Sequence, residues 1–189
     1  MADSVLSVPV VDNWRMSLQH TEDAKLAAIE QSKKLAPLAG PISWSGKLLP
    51  NGLGKGSPLC LMSGRSVGTW VNDGLYLLVQ GDYRYTASEF TGSFWMFDFL
   101  IGYEPLGKRY RKLLADNVGV VIKECTLVGT RLIADFPPGA RIESGGHTIV
   151  FRQTYDWSEQ GKVRNTFEVR IDDGDWSLTA DLEGERSEG

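Results

Sequence analysis

The sequence is poor in the residues that carry most catalytic and metal chemistry. Its 189 residues include two histidines and two cysteines. His20 and His147 cannot supply the local ligand pairs of a zinc site, and with no Gly-x-Ser-x-Gly elbow there is no ready nucleophilic triad. Cys60 and Cys125 lack Cys-x-x-Cys spacing, so both are expected to be buried thiols rather than a bridge. No metal and no cofactor is expected. Surplus positive charge is also missing: 20 Lys+Arg stand against 24 Asp+Glu, a net charge of -4, which does not suit a nucleic-acid partner. The best apolar run, Phe94 to Ile101, is short and carries Asp98, and Met1-Ala2-Asp3-Ser4 has neither a basic nor a long apolar region. Neither export nor a membrane partner is indicated, and a cytoplasmic location is expected. Asn51-Gly52-Leu53-Gly54-Lys55-Gly56-Ser57 lacks the spacing of a phosphate loop and reads as a hairpin loop.

What is present is apolar and β-rich. A composition of 42% apolar and 10% aromatic residues supports one domain without staples, with a helical arm over 1–40 and a barrel over 41–187. The segment from Thr21 predicts a helix: Thr21 caps, Glu22 and Asp23 suit its N-terminus, Lys33 and Lys34 its other end, and Pro37 and Pro41 stop it. Leu26, Ile29 and Leu35 form a rough stripe that would lid something larger. Beyond Gly40, turn signals at Asn51-Gly52, Asp73-Gly74, Val128-Gly129, Gly145-Gly146, Gln160-Gly161 and Asp173-Gly174 separate β-type runs. Strands are expected near 43–49, 58–63, 66–73, 75–86, 93–103, 118–127, 130–136, 147–157, 163–171 and 175–184. The pattern predicts a mainly β fold, an antiparallel up-and-down barrel of about 8–10 strands with an N-terminal helix.

Period-two alternation sorts the faces. His147, Ile149, Phe151, Gln153, Tyr155 and Trp157 share one face, expected to be interior. Leu75, Leu77, Val79, Tyr83 and Tyr85 share another, as do Ser93, Trp95, Phe97, Phe99 and Ile101. The opposite side of that last strand, with Phe94, Met96 and Leu100, is also apolar. It should be covered twice, by the barrel interior and by the helix or a second copy in a homodimer.

Gly102-Tyr103-Glu104-Pro105, Lys108-Arg109-Tyr110 and Leu114-Ala115-Asp116-Asn117 resemble the Gly-Tyr-Asp-Pro, Lys-x-Tyr and Trp-x-Asp-Ser stretch of a bacterial family of unknown function with a calycin-like, lipocalin-type barrel. Gly64-Arg65 falls in the same order upstream. Glu104 replaces Asp and Leu114 replaces Trp, and the spacing before Trp44 also departs from the family pattern. The resemblance implies a barrel with a cavity and carries no activity.

Two functional readings follow. The first is binding of a small hydrophobic or aromatic metabolite in the barrel cavity, with Tyr83, Tyr85, Trp95, Phe97, Phe99, Phe151 and Gln153 as lining residues. The alternative is a cofactor-independent cyclase or isomerase acting on a polyketide- or polyene-like intermediate in natural-product biosynthesis. Its candidate acids and bases are Asp98, between two phenylalanines and so expected to be buried, His147 and Tyr155. An Asp98 salt bridge to Arg65, Arg84 or Arg109 and a strand-end role for His147 are the structural alternatives. One axial imidazole at His147 would suffice for haem, although the Gly-x-Trp-x-Gly pattern of nitrobindin-like barrels is absent.

Overall fold

The computed structural model describes residues 13–52, 55–87, 90–116, 120–135, 142–144 and 146–186, with the side chains of 13–20, 90–97, 116 and 142–144 outside that description. Helix α1 (Asn13–Ser32) runs into a 3-10 turn (Lys33–Leu38) and then into the strands. These are β1 (Gly40–Leu48), β2 (Cys60–Val71), β3 (Tyr76–Ala87), β4 (Phe90–Glu104), β5 (Arg109–Asp116), β6 (Val120–Val128), β7 (Arg131–Asp135), β8 (Ile142–Ser144), β9 (His147–Asp156), β10 (Lys162–Ile171) and β11 (Ser177–Arg186). Strands β1 to β7 pair in sequence, β7 pairs with β9, β9 with β10 and β10 with β11, and β11 returns to β1. Every pairing is antiparallel, so ten strands close a ring and leave no open edge. Strand β8 pairs with the start of β9, Ile142 against Ile149, beyond the part of β9 that meets β7. The expected barrel with its N-terminal helix is the fold observed.

Three expectations about elements need correction. Helix α1 begins at Asn13, which places Thr21 inside it and not at its cap. Leu26 is 61% exposed, while Ala28 and Leu35 are buried, so the contact stripe is offset from the one read in the sequence. The runs 58–63 and 66–73 form one strand, β2, because Gly64 is a packing glycine and not a break. A Cβ there would lie 2.2 Å from the Asp82 carbonyl oxygen and 2.6 Å from the Tyr83 ring. Strand β5 is an addition, lying between the strands expected near 93–103 and 118–127.

The helical arm plugs one end of the ring. Leu35 and Leu38 are buried against the barrel core. Ser32, fully buried, donates its hydroxyl to the Leu75 carbonyl at 2.9 Å and accepts the Tyr103 N–H at 3.3 Å. Tyr110 donates to the Gln31 carbonyl at 2.9 Å, and its burial pushes the phenol up to about 12. One helix terminus is thereby tied to β3, β4 and β5, which satisfies backbone groups that would otherwise be orphaned.

The Gly-Tyr-Glu-Pro stretch shapes this same end. Glu104 accepts from Arg109 Nε at 3.0 Å and pairs with Arg111 Nε at 2.9 Å, and Arg109 also reaches Glu124 at 2.6 Å. Tyr103 and Tyr110 meet edge to face at 5.2 Å between ring centroids. These contacts close the β4–β5 turn, where Lys108 adopts a positive φ of 49°. The motif residues therefore have a structural task in this chain.

Cys60 and Cys125 are both buried, and burial pushes the Cys125 thiol up to about 12 against the opposing effect of Lys112 and Lys123. At pH 8 a thiol-specific disulfide reagent should react with the native protein on the order of 100-fold more slowly than with the urea-unfolded chain. Rapid labelling of one thiol per native chain would contradict this burial.

Candidate functional site

The barrel interior is walled by aromatic residues and threaded by a chain of polar groups. Alternation along β3, β4, β5, β9 and β10 turns Tyr83, Phe99, Lys112, Gln153, Tyr155 and Asn165 inward, and all six are buried. Lys112 Nζ donates to Gln153 Oε1 at 2.7 Å and to the Tyr155 hydroxyl at 3.0 Å. Gln153 Nε2 donates to the Tyr155 hydroxyl at 2.8 Å and to Asn165 Oδ1 at 3.1 Å, and Asn165 Nδ2 donates to the Tyr83 hydroxyl at 3.2 Å. The amide orientations are thus fixed by their neighbours, as a buried network requires. Lys112 Nζ also stands 4.0 Å from the centre of the Phe99 ring and 5.0 Å from that of Tyr155, where an ammonium is favoured by the ring face.

Electrostatics follow from this burial. Desolvation is the first cause holding the Tyr155 phenol well above its ordinary range, with Tyr83 and Cys125 adding to it and the Gln153 hydrogen bond opposing it. The Tyr83 phenol is likewise raised by burial and lowered in part by Asn165. Both tyrosines therefore stay protonated at neutral pH and can act as hydrogen-bond donors. Lys123 stands opposite Lys112 across β5 and β6 and is only 5% exposed. Two lysine side chains are therefore held side by side inside the barrel.

Two spaces adjoin this network. At the plugged end, Leu38, Ile42, Trp44, Ser66, Tyr83 and Tyr155 are among the residues around a cavity of about 10 Å³, about the limit for a single water. Trp44 Nε1 donates to Ser66 Oγ there at 2.8 Å, and its ring meets Tyr83 edge on at 6.2 Å. Towards the other end, Leu48, Met62, Tyr83, Tyr85, Phe151 and Phe167 line most of a 70 Å³ pocket closed by Thr179 and Ala180. Tyr83 borders both spaces, and Gln153 lies between wall residue Phe151 and network residue Tyr155 on the same face of β9.

The candidate residues chosen from the sequence divide accordingly. Tyr83, Tyr85, Phe99, Gln153 and Tyr155 are brought together inside. Phe151 is 37% exposed at the pocket wall. The side chains of Trp95 and Phe97 lie outside the described residues, although their backbones pair with Tyr83 and Gly81. Asp98 is not the buried acid expected: with Phe99 inward, strand parity sends Asp98 out, where it accepts from Gln80 Nε2 at 3.4 Å. Arg109, offered as its partner, binds Glu104 and Glu124 instead. His147 is not at the mouth of an inward face either. Its side chain is 61% exposed and its Nδ1 shares a 2.9 Å hydrogen bond with Asp172 Oδ2. Asp172 also accepts the Thr148 N–H at 2.9 Å, and the imidazole first, then this N–H, holds its carboxyl below the usual range. An exposed ring at a strand end is not placed to ligate haem within the cavity.

Outside the barrel, Leu78, Leu100, Leu113 and Ile122 follow one another across β3 to β6, with Leu113 43% and Ile122 50% exposed. A 680 Å³ groove runs between this face and Thr21, Ala24 and Ala28 of α1, so the helix covers the doubly apolar region only in part. Among the described residues, no helix is long and apolar enough to cross a membrane, and no three His, Cys, Asp or Glu side chains converge as a metal site.

Sequence reasoning missed Lys112, Lys123 and Asn165. The signal was present in two inward-facing series, Tyr110-Lys112-Leu114 and Val121-Lys123-Cys125, each with one lysine among apolar neighbours. No family model and no curated protein matches the chain. Among solved structures, it is similar to the crystal structure of Rv2717c from M. tuberculosis, with a TM-score of 0.50 and 10% sequence identity over 82% of this chain and 96% of that one. This likeness shows a shared barrel fold.

Proposed function

We propose that the barrel binds one small ligand with an aromatic or other apolar body in the pocket lined by Tyr83, Tyr85, Phe151 and Phe167. The observation that carries this reading is the continuity of that apolar wall with the buried polar chain running from Tyr83 to Lys112. Small-molecule sites combine such a wall with a few placed polar groups. The 70 Å³ volume holds a small apolar group or the edge of a ring, with the rest of the ligand in the mouth.

The cyclase or isomerase alternative would draw on Tyr155. Its hydroxyl accepts from Lys112 and Gln153, and its own proton can be given to a carbonyl oxygen. A phenol held well above its ordinary range suits hydrogen-bond donation better than proton abstraction. On that reading Tyr155→Phe loses turnover while ligand affinity is kept.

Titration with 4-fluorobenzyl alcohol, followed by 19F NMR, tests the binding reading. A saturable shift with Kd of about 1 mM or tighter is expected. Ala180→Leu, which fills the pocket from a wall position 3% exposed, should abolish it while the circular dichroism spectrum is kept. No saturable shift, or an unchanged one in a folded Ala180→Leu protein, would remove the pocket from consideration.

A further inference from the structure

We propose that the plugged end of the barrel carries a second binding site, a cleft that takes a small phosphate monoester on Lys34, Lys108 and Arg109. It is separate from the pocket of the binding reading above and does not rest on it.

The argument begins with charge. A 270 Å³ cleft opens where the end of the helical arm meets the β4–β5 turn and β6, with Gln31, Lys34, Tyr103, Lys108, Arg109 and Tyr110 along it. Three of these are cations, and no carboxylate is among the residues that line it. Acids do stand on the adjoining elements, but each is already engaged. Glu104 is bound by Arg109 and Arg111, Glu124 by Arg109, Glu30 by Lys33 and Asp135 by Arg152. Lys34 Nζ donates to a neutral acceptor, Gln31 Oε1, at 2.7 Å, and among the described residues neither Lys34 nor Lys108 has a carboxylate partner. These two ammonium groups leave the cleft positive, which favours an anion.

Arg109 is set in place before any ligand arrives. Its Nε donates to Glu104 at 3.0 Å and its Nη1 to Glu124 at 2.6 Å, which leaves Nη2 without a partner among the described residues. Gly107 permits this arrangement, since a Cβ there would lie 2.8 Å from both Arg109 Nε and Glu104 Oε2. Lys108 follows in a left-handed position, φ 49°, that glycine or asparagine adopts more easily, so a lysine stands here at a backbone cost. Tyr110, fixed by its bond to the Gln31 carbonyl, packs edge to face on Tyr103 and gives the cleft an aromatic side.

The donor set selects the anion. Arg109 has spent its fork on two glutamates, so the planar, two-point grip that suits a carboxylate is no longer on offer. Two point-like ammonium groups and one guanidinium nitrogen remain. A phosphate monoester presents three acceptor oxygens and close to two negative charges to such separate donors. Lys34 can exchange the neutral Gln31 acceptor for one of those oxygens, and the volume admits the phosphate with one ring or sugar beside the tyrosines.

Titration of 4-fluorophenyl phosphate into the full chain at pH 7.5 and low salt, followed by 19F NMR, tests this. A Kd of about 1 mM or tighter is expected, at least about 5-fold tighter than for 4-fluorobenzoate or 4-fluorophenol. Lys34→Gln and Lys108→Gln should each weaken phosphate binding about 3-fold or more, and together abolish it, while 4-fluorobenzyl alcohol titrates as in the wild type. Both lysines are exposed, so these variants keep the fold. Ala180→Leu, which fills the barrel pocket, should leave phosphate binding intact. No saturable binding of 4-fluorophenyl phosphate, equal affinity for the three probes, or a phosphate preference that survives the double lysine substitution would overturn the site. So would its loss in a folded Ala180→Leu protein, which would put the ester in the barrel pocket instead.

Discussion

Gln153→Leu is expected to lower the free energy of unfolding by about 3 to 5 kcal/mol, the range for breaking a buried charged network. The glutamine uses both ends of its amide: Oε1 accepts from Lys112, and Nε2 donates to Tyr155 and Asn165. Leucine has similar bulk and none of these groups, so the lysine head loses an acceptor and Asn165 Oδ1 a donor in a site without ready access to water. Lys112→Met should be far milder, about 1 kcal/mol in either direction, because its long apolar side chain can rest on Phe99 with no charge to solvate. The double variant should then be more stable than Gln153→Leu alone. Urea denaturation with a constant m value measures all three. Additive losses, or a Gln153→Leu cost below about 1 kcal/mol, would show that the network contributes little to stability.

The second large effect concerns backbone packing. Gly64→Ala should cost about 3 kcal/mol or prevent folding, because the added methyl meets the Asp82 carbonyl oxygen at 2.2 Å. That oxygen belongs to the β2–β3 ladder and cannot retreat without opening it. Gly184→Ala is a graded comparison. There the nearest atoms are side-chain carbons, Trp44 Cζ3 at 2.6 Å and Ile42 Cγ2 at 2.7 Å, which can shift at lower cost. Substituting Trp44→Phe should therefore relieve Gly184→Ala and leave Gly64→Ala unchanged. Thermal unfolding of the single and double variants reads this directly, and equal relief of both would contradict the distinction. The two glycines lie opposite Trp44 on neighbouring strands, so together they set how closely β1, β2 and β11 curve around the indole.

These residues also mark the boundary of what was legible. Turn signals between β-type runs gave the antiparallel architecture, and period-two alternation gave the inward direction of Tyr83, Gln153 and Tyr155 while leaving that of Phe99 open, because both signals are local properties of a pleated strand. Alternation failed at Asp98, whose apolar neighbours on both sides hid the parity. No strand was read at β5, where Lys112 takes an inward position normally held by an apolar residue. Gly64 read as punctuation, since a glycine that makes room for a ring on the next strand is indistinguishable, within its own strand, from one that ends it.

By itself, then, the sequence determined the strands' alternation, most of the turns and the poverty of metal and nucleophile chemistry. The tertiary structure decided closure of β11 onto β1, the plugging of one end by Leu35 and Leu38, the exposure of His147, and the meeting of Lys112, Gln153, Tyr155 and Asn165. The reason is geometric. Parity depends on a residue and its neighbours in the chain, whereas depth along a barrel axis depends on the stagger summed around all ten strands. Contacts between positions more than forty residues apart, such as Lys112 with Tyr155, exist only once that sum is complete.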